Sequence, residues 1–86
     1  MNYRAEVRVR LKPGIADPQG QTIERALPAV GFSDARNVRV GKLIELEVDA
    51  SSPLDARRRI EEMCERLLAN PVIETYSVAI DESVGA

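Results

Sequence analysis

Residues 2–11, Asn-Tyr-Arg-Ala-Glu-Val-Arg-Val-Arg-Leu, alternate without a break. Tyr3, Ala5, Val7, Val9 and Leu11 fall on one side of an extended chain, and Asn2, Arg4, Glu6, Arg8 and Arg10 on the other. Strict period two predicts a strand with one packed face and one charged face. Such a strand needs neighbours and a covering layer, and the downstream sequence offers both.

Lys12 to Ala16 reads as a loop around Pro13-Gly14. Asp17-Pro18 is the N-cap and N1 pair that opens a helix. Ile23, Ala26, Leu27 and Val30 then recur at helical spacing, with Gly31 placed to end the helix. Pro28 removes the bond to Glu24, so the last turn is expected to kink or shorten. Ala35 to Val48 reads as a hairpin. Val38 and Val40 share a face of the first arm, Ile44, Leu46 and Val48 share a face of the second, and Gly41-Lys42 suits a type II′ turn.

Ser52-Pro53-Leu54-Asp55 starts a second helix, with Ser52 as cap and Asp55 near the positive end. Ala56, Ile60, Met63, Cys64, Leu67 and Leu68 form its apolar stripe, and Asp55–Arg59 and Glu62–Arg66 are candidate i,i+4 ion pairs. Asn70-Pro71 stops the helix. Val72 to Ile80 is a final strand with apolar residues on both faces. The order β-α-β-β-α-β predicts an α+β, ferredoxin-like two-layer sandwich. Its four-stranded antiparallel sheet, ordered 4-1-3-2, would carry both helices on one face. One domain is expected over residues 1–81, with a frayed tail at 82–86.

The 86 residues contain no His, no Trp, one Cys, two Tyr and one Phe. A chain without His has no Ser-His-Asp triad and no His-ligated metal. A single Cys gives neither a disulfide framework nor a Cys-based zinc site, and suits a reducing compartment, hence the cytoplasm. Twelve basic against fourteen acidic residues give a net charge of −2, without the basic excess that nucleic-acid binding requires. No apolar run reaches the roughly 18 residues of a membrane span. Few aromatics are available for the core, so a second copy or a partner is expected to add stability.

Candidate chemistry is sparse. Cys64 on the apolar stripe reads as a buried small hydrophobe. Asp17, Gln19 and Gly20 make a polar helix start, which a cap alone explains. The loop after the first strand carries Asp17 where an acylphosphatase on this fold would need an Arg. The exposed strand faces lack the aromatics of an RNA-recognition module. Arg39 and Lys42 at the hairpin tip could dock an acidic group. Glu74, beside Tyr76 in a largely apolar strand, must pair, meet water or lie at an interface.

Taken together, Asp17-Pro18-Gln19-Gly20, Gly31-Phe32, Val38-Arg39-Val40-Gly41-Lys42 and Leu67-Leu68-Ala69-Asn70-Pro71-Val72-Ile73-Glu74-Thr75-Tyr76 resemble the PurS family. PurS is the small subunit of phosphoribosylformylglycinamidine synthase in purine biosynthesis. The resemblance spans nearly the whole chain in order. It implies a subunit with no active site and no catalytic, cofactor or metal ligand of its own. Such a subunit bridges a PurL-like synthetase and a PurQ-like glutaminase. Their complex uses ATP, Mg2+ and glutamine to amidate formylglycinamide ribonucleotide. The resemblance further implies a homodimer or tetramer, with neither nucleic acid nor membrane as a partner. Carried over by position, the expected subunit-interface residues are Asp17, Gln19, Gly20, Arg39, Lys42, Asn70, Glu74 and Tyr76. The competing reading is a homodimeric ferredoxin-like regulatory module that binds a metabolite, for which Pro13-Gly14 is only a faint ligand loop.

Overall fold

A computed structural model describes residues 1–81. The expected tail at 82–86 lies outside the described residues. The alternating segment forms β1 (Asn2–Leu11), followed by α1 (Pro18–Ala26), β2 (Lys42–Asp49), α2 (Pro53–Met63) and β3 (Glu74–Asp81). The sheet is antiparallel and ordered β2-β1-β3. This is the expected order with one strand missing.

The alternation of β1 does what its pattern predicts. Tyr3, Ala5, Val7 and Val9 are buried beneath α2, together with Val48, Ala50, Ala56, Ile60, Cys64 and Ala69. α2 begins on the Ser52 cap, whose hydroxyl accepts the Asp55 N–H at 3.0 Å. Asp55 pairs with Arg59 at 3.4 Å and Glu62 with Arg66 at 2.8 Å, as the spacing predicts. Cys64 is buried as expected, and burial, aided by Glu65 and Glu61, pushes its thiol pKa up. That is the opposite of what a reactive thiolate needs.

One residue leaves the predicted stripe. Leu67 is 83% exposed. The helix widens after Met63 into a π-turn over Cys64–Leu68, where the Ala69 N–H reaches the Cys64 carbonyl at 3.0 Å. A five-residue repeat shifts the angular phase and turns Leu67 outward.

The predicted hairpin is not formed. Residues 35–41 make no ladder with β2, which itself starts at Lys42. Asn37 sits at φ 59, in the left-handed region that interrupts a strand. Gly41 does not have the positive φ of a type II′ turn. Its role is close approach, since a Cβ there would lie 2.6 Å from the Val9 carbonyl oxygen. The backbone of residues 38–40 is held by side chains of α1 instead: the Val38 N–H donates to Glu24 Oε1 at 2.9 Å and the Val40 N–H to Asp17 Oδ2 at 2.8 Å. Two carboxylates take the acceptor positions that a neighbouring strand would have supplied.

The helices also part from expectation. α2 packs on β3 and β2, whereas α1 packs chiefly on the 3-10 turn Leu27–Val30 that follows it, at the end of the sheet where β1 stops. Pro28 sits in that turn, and Gly31 ends it at φ 100, as the sequence predicts. The fold is α+β with two helices and three strands, but only α2 covers the sheet. The radius of gyration is 16.6 Å and the extents are 50 × 28 × 14 Å. A compact chain of this length would have a radius of about 12 Å.

Both long edges of the sheet differ in how they are finished. Met1 and Ala50 exchange both backbone hydrogen bonds, at 2.9 and 3.1 Å. With the observed register, odd residues of β1 therefore bond even residues of β2, and Leu43, Glu45, Glu47 and Asp49 turn their backbone groups away from β1. On the other side Arg57 of α2 donates to the outward carbonyl of Val78 at 2.9 Å and closes the middle of the β3 edge. Among the described residues no helix is long and apolar enough to cross a membrane.

Candidate subunit-interface site

Asp17 organises the end of the sheet. It is 5% exposed, and its carboxylate does three things at once. Oδ1 accepts the Gly20 N–H at 3.0 Å, capping α1. Oδ2 accepts the Val40 N–H at 2.8 Å, and the Arg39 guanidinium lies 3.9 Å away. The Gly20 and Val40 N–H groups, and then Arg39, hold its pKa below the usual carboxylate value against the opposing effect of burial. Gly20 is required by this arrangement: a Cβ there would sit 2.5 Å from the Val38 carbonyl oxygen and 2.6 Å from Asp17 Oδ2.

Beside this clasp, Asp17, Gln19, Val40, Gly41, Lys42 and Glu74 share a hollow of about 260 Å³. Lys42 at the start of β2 and Glu74 at the start of β3 approach to 4.0 Å across it. Glu74 is anchored from behind. Its Oε1 accepts the Asn70 N–H at 2.6 Å, and its own N–H donates to the Asn70 carbonyl at 2.7 Å. The Asn70 side chain in turn accepts the Val72 N–H at 3.1 Å, which fixes the turn after α2. The acid that the strand pattern singled out is thus paired and half-buried at a rim.

The structure therefore gathers Asp17, Gln19, Gly20, Arg39, Lys42, Glu74 and Asn70 at one end of the sheet. Arg39, Lys42, Gln19 and Asn70 are exposed, whereas Asp17 and Gly20 are buried and serve the fold. Tyr76 does not join them. It packs against the core under α2, and the neighbouring Glu65 carboxylate, then burial, pushes its phenol pKa up to about 12. Sequence reasoning missed Glu24 and Arg57. Glu24 follows Asp17 by two helical turns on the same side of α1, a spacing that could have revealed it. Arg57 carried no such signal, because its partner is a backbone carbonyl.

A second carboxylate gives the fold a pH limit. The Ser51 N–H, then Arg58, brings the Asp55 pKa down from 3.8 to about 2. A depressed folded-state pKa contributes stability that is fully present above 3.8 and is lost as pH falls toward 2. Asp17 is shifted in the same direction. Urea titrations are expected to give an unchanged midpoint from pH 7 to 5 and a falling one from pH 4 to 2. Asp55→Asn is expected to flatten part of that fall.

The family model for PurS, phosphoribosylformylglycinamidine (FGAM) synthase, matches residues 4–82. The chain is 45% identical over 74 residues to the phosphoribosylformylglycinamidine synthase subunit PurS of Archaeoglobus fulgidus, covering 86% of this chain and 92% of that one. It is 41% identical over 85 residues to the same subunit of Methanothermobacter thermautotrophicus, covering 99% and 100%. Among solved structures it superposes on a chain of PurLQS from Thermotoga maritima with a TM-score of 0.87 and 35% identity, covering 94% and 99%. With family model, full-length relatives and fold in agreement, the chain belongs to the PurS family of phosphoribosylformylglycinamidine synthase subunits.

Proposed function

We propose that this chain is the non-catalytic bridging subunit of a cytoplasmic FGAM synthase, holding a PurL-like synthetase and a PurQ-like glutaminase together. The observation that carries this is the match over nearly its full length to a chain of the PurLQS assembly. The complex amidates formylglycinamide ribonucleotide in de novo purine biosynthesis. ATP, Mg2+ and glutamine belong to the partner subunits, and this chain contributes surface. The exposed rim of Gln19, Arg39, Lys42 and Asn70 supports that reading, because it displays polar and cationic groups on a rigid frame without a nucleophile and base in contact.

The reading includes a second copy of the chain. Ile23, Val30 and Phe32 along the α1 arm are 44%, 68% and 57% exposed, and the elongated shape leaves that arm without a sheet beneath it. The fourth strand of a ferredoxin-like sheet is then supplied by a neighbouring copy.

Reconstitution tests the assignment. The synthetase and glutaminase are assayed with glutamine or with free ammonia, each with and without this chain. Glutamine-dependent turnover is expected to collapse without it, while ammonia-dependent turnover survives. Equal glutamine-dependent turnover in both tubes would rule the bridging role out.

A further inference from the structure

β1 outruns its ladder with β2. Its pairing with β3 continues to Leu11↔Glu74, whereas its pairing with β2 stops at Val9↔Lys42. Odd residues of β1 turn their backbone groups toward β2, so the N–H and carbonyl of Leu11 point to where the next ladder residue, Val40, would stand. Val40 is close by and lines the same hollow as Leu11 and Asp17. Among the described residues no bond joins the backbones of Leu11 and Val40. The Val40 N–H goes to Asp17 Oδ2 at 2.8 Å, and the Leu11 carbonyl receives the Arg39 guanidinium at 3.5 Å. That guanidinium also reaches the Ile15 carbonyl at 3.5 Å and lies 3.9 Å from Asp17 Oδ2, yet the side chain is 45% exposed.

We propose that residues 38–41 form a two-position strap whose outer catch is Arg39. In the position described, Asp17 and Glu24 hold Val40 and Val38 on α1. In the other, Val40 and Leu11 exchange both backbone hydrogen bonds, β2 lengthens by two residues, and α1 keeps its cap but loses its tether to that strand. The extension stops there, because the residue opposite Val38 would be Pro13, which has no N–H. Two bonds to carboxylates thus compete with two bonds between strands. A charged acceptor makes a hydrogen bond about twice as strong as a neutral one, which makes the clasp the resting position. Losing one carboxylate bond, or drawing Arg39 away, reverses the balance. A carboxylate of a docking partner that took Arg39 in a bidentate pair would free the Leu11 carbonyl and strip Asp17 of its cation. Both changes favour the second position. This last step rests on the bridging reading, and it makes occupancy of the rim the signal that releases α1.

NMR couplings across hydrogen bonds, measured on the isotope-labelled full chain, identify the acceptor of each N–H. In the parent chain the Val40 nitrogen is expected to couple to the Asp17 carboxylate carbon, while the Leu11 amide exchanges rapidly. Asp17→Ser retains a helix cap but is too short to reach Val40. In that variant Val40 is expected to couple to the Leu11 carbonyl carbon, and exchange at Leu11 to slow roughly tenfold or more. Arg39→Gln, at an exposed position, is expected to slow the same amide several-fold and carries the test if Asp17→Ser does not fold. Addition of the synthetase and the glutaminase to the parent chain is expected to slow it as well. Exchange at Leu11 that is unchanged or faster in both variants, with the N–H groups of residues 38–41 released to solvent, overturns the strap and leaves the clasp a simple tether. Slowing in the variants but not in the chain bound to both partners overturns the coupling to docking. The variants are read on the chain alone, so a chain dispensable for glutamine-dependent turnover would sink the bridging reading and leave the strap standing.

Discussion

Gly20→Val is expected to destabilise the chain by about 3 kcal/mol, the upper end of what overpacking costs. In an exposed helix, replacing Gly gains stability: alanine is favoured over glycine by about 1 kcal/mol. Here the sign reverses, because a Cβ at this position would lie 2.5 Å from the Val38 carbonyl oxygen. The obstacle is backbone, which no side-chain rotation relieves. The substitution pushes residues 38–40 off α1 and takes Asp17 with them. Two readouts follow. The urea midpoint falls, and limited proteolysis opens a site within residues 35–41 that the parent chain resists. Gly20→Ala falls between the two. An unchanged midpoint with unchanged protease resistance would refute the account of the clasp.

Ile60→Ala is expected to cost about 3–4 kcal/mol, within the 2–5 kcal/mol range for emptying a well-packed aliphatic site. Ile60 is fully buried and lies on α2 against the inner face of the sheet. With α1 packed away from the sheet, little surrounding structure is available to collapse into the void. Set against a total stability of roughly 5–15 kcal/mol, that loss lowers the melting temperature by on the order of 15 °C. Leu67→Ala is the control: at 83% exposure it should stay within about 0.5 kcal/mol of the parent. Melting both at one protein concentration keeps mass action out of the comparison. A similar loss in both variants would mean that the stripe is read wrongly.

The contrast between these residues shows what the sequence could and could not tell. β1 was legible because period two has one physical meaning in an element that packs on one side. The caps at Asp17 and Ser52 were legible because capping is local chemistry. Leu67 was misread because helical phase was extrapolated across a π-turn that nothing in the residue pattern announces. The hairpin at 35–48 was misread for a deeper reason. Val38 and Val40 do have strand alternation, but alternation specifies which face is packed, not which groups satisfy the backbone. Glu24 and Asp17 won that competition from a helix. The rim residues were found from motif resemblance, and their gathering came from tertiary placement of the ends of β2 and β3. Tyr76 shared the motif but faces the core.

The guanidinium of Arg57 on the Val78 carbonyl has a consequence beyond its own hydrogen bond. A sheet with two open rims can add copies at either side without limit, and such growth ends in fibres. An occupied carbonyl in the middle of a rim leaves less of it for another chain to pair with. Arg57 therefore guards the middle of the β3 rim against the addition of a further strand: removing its side chain is expected to expose the Val78 carbonyl to another chain.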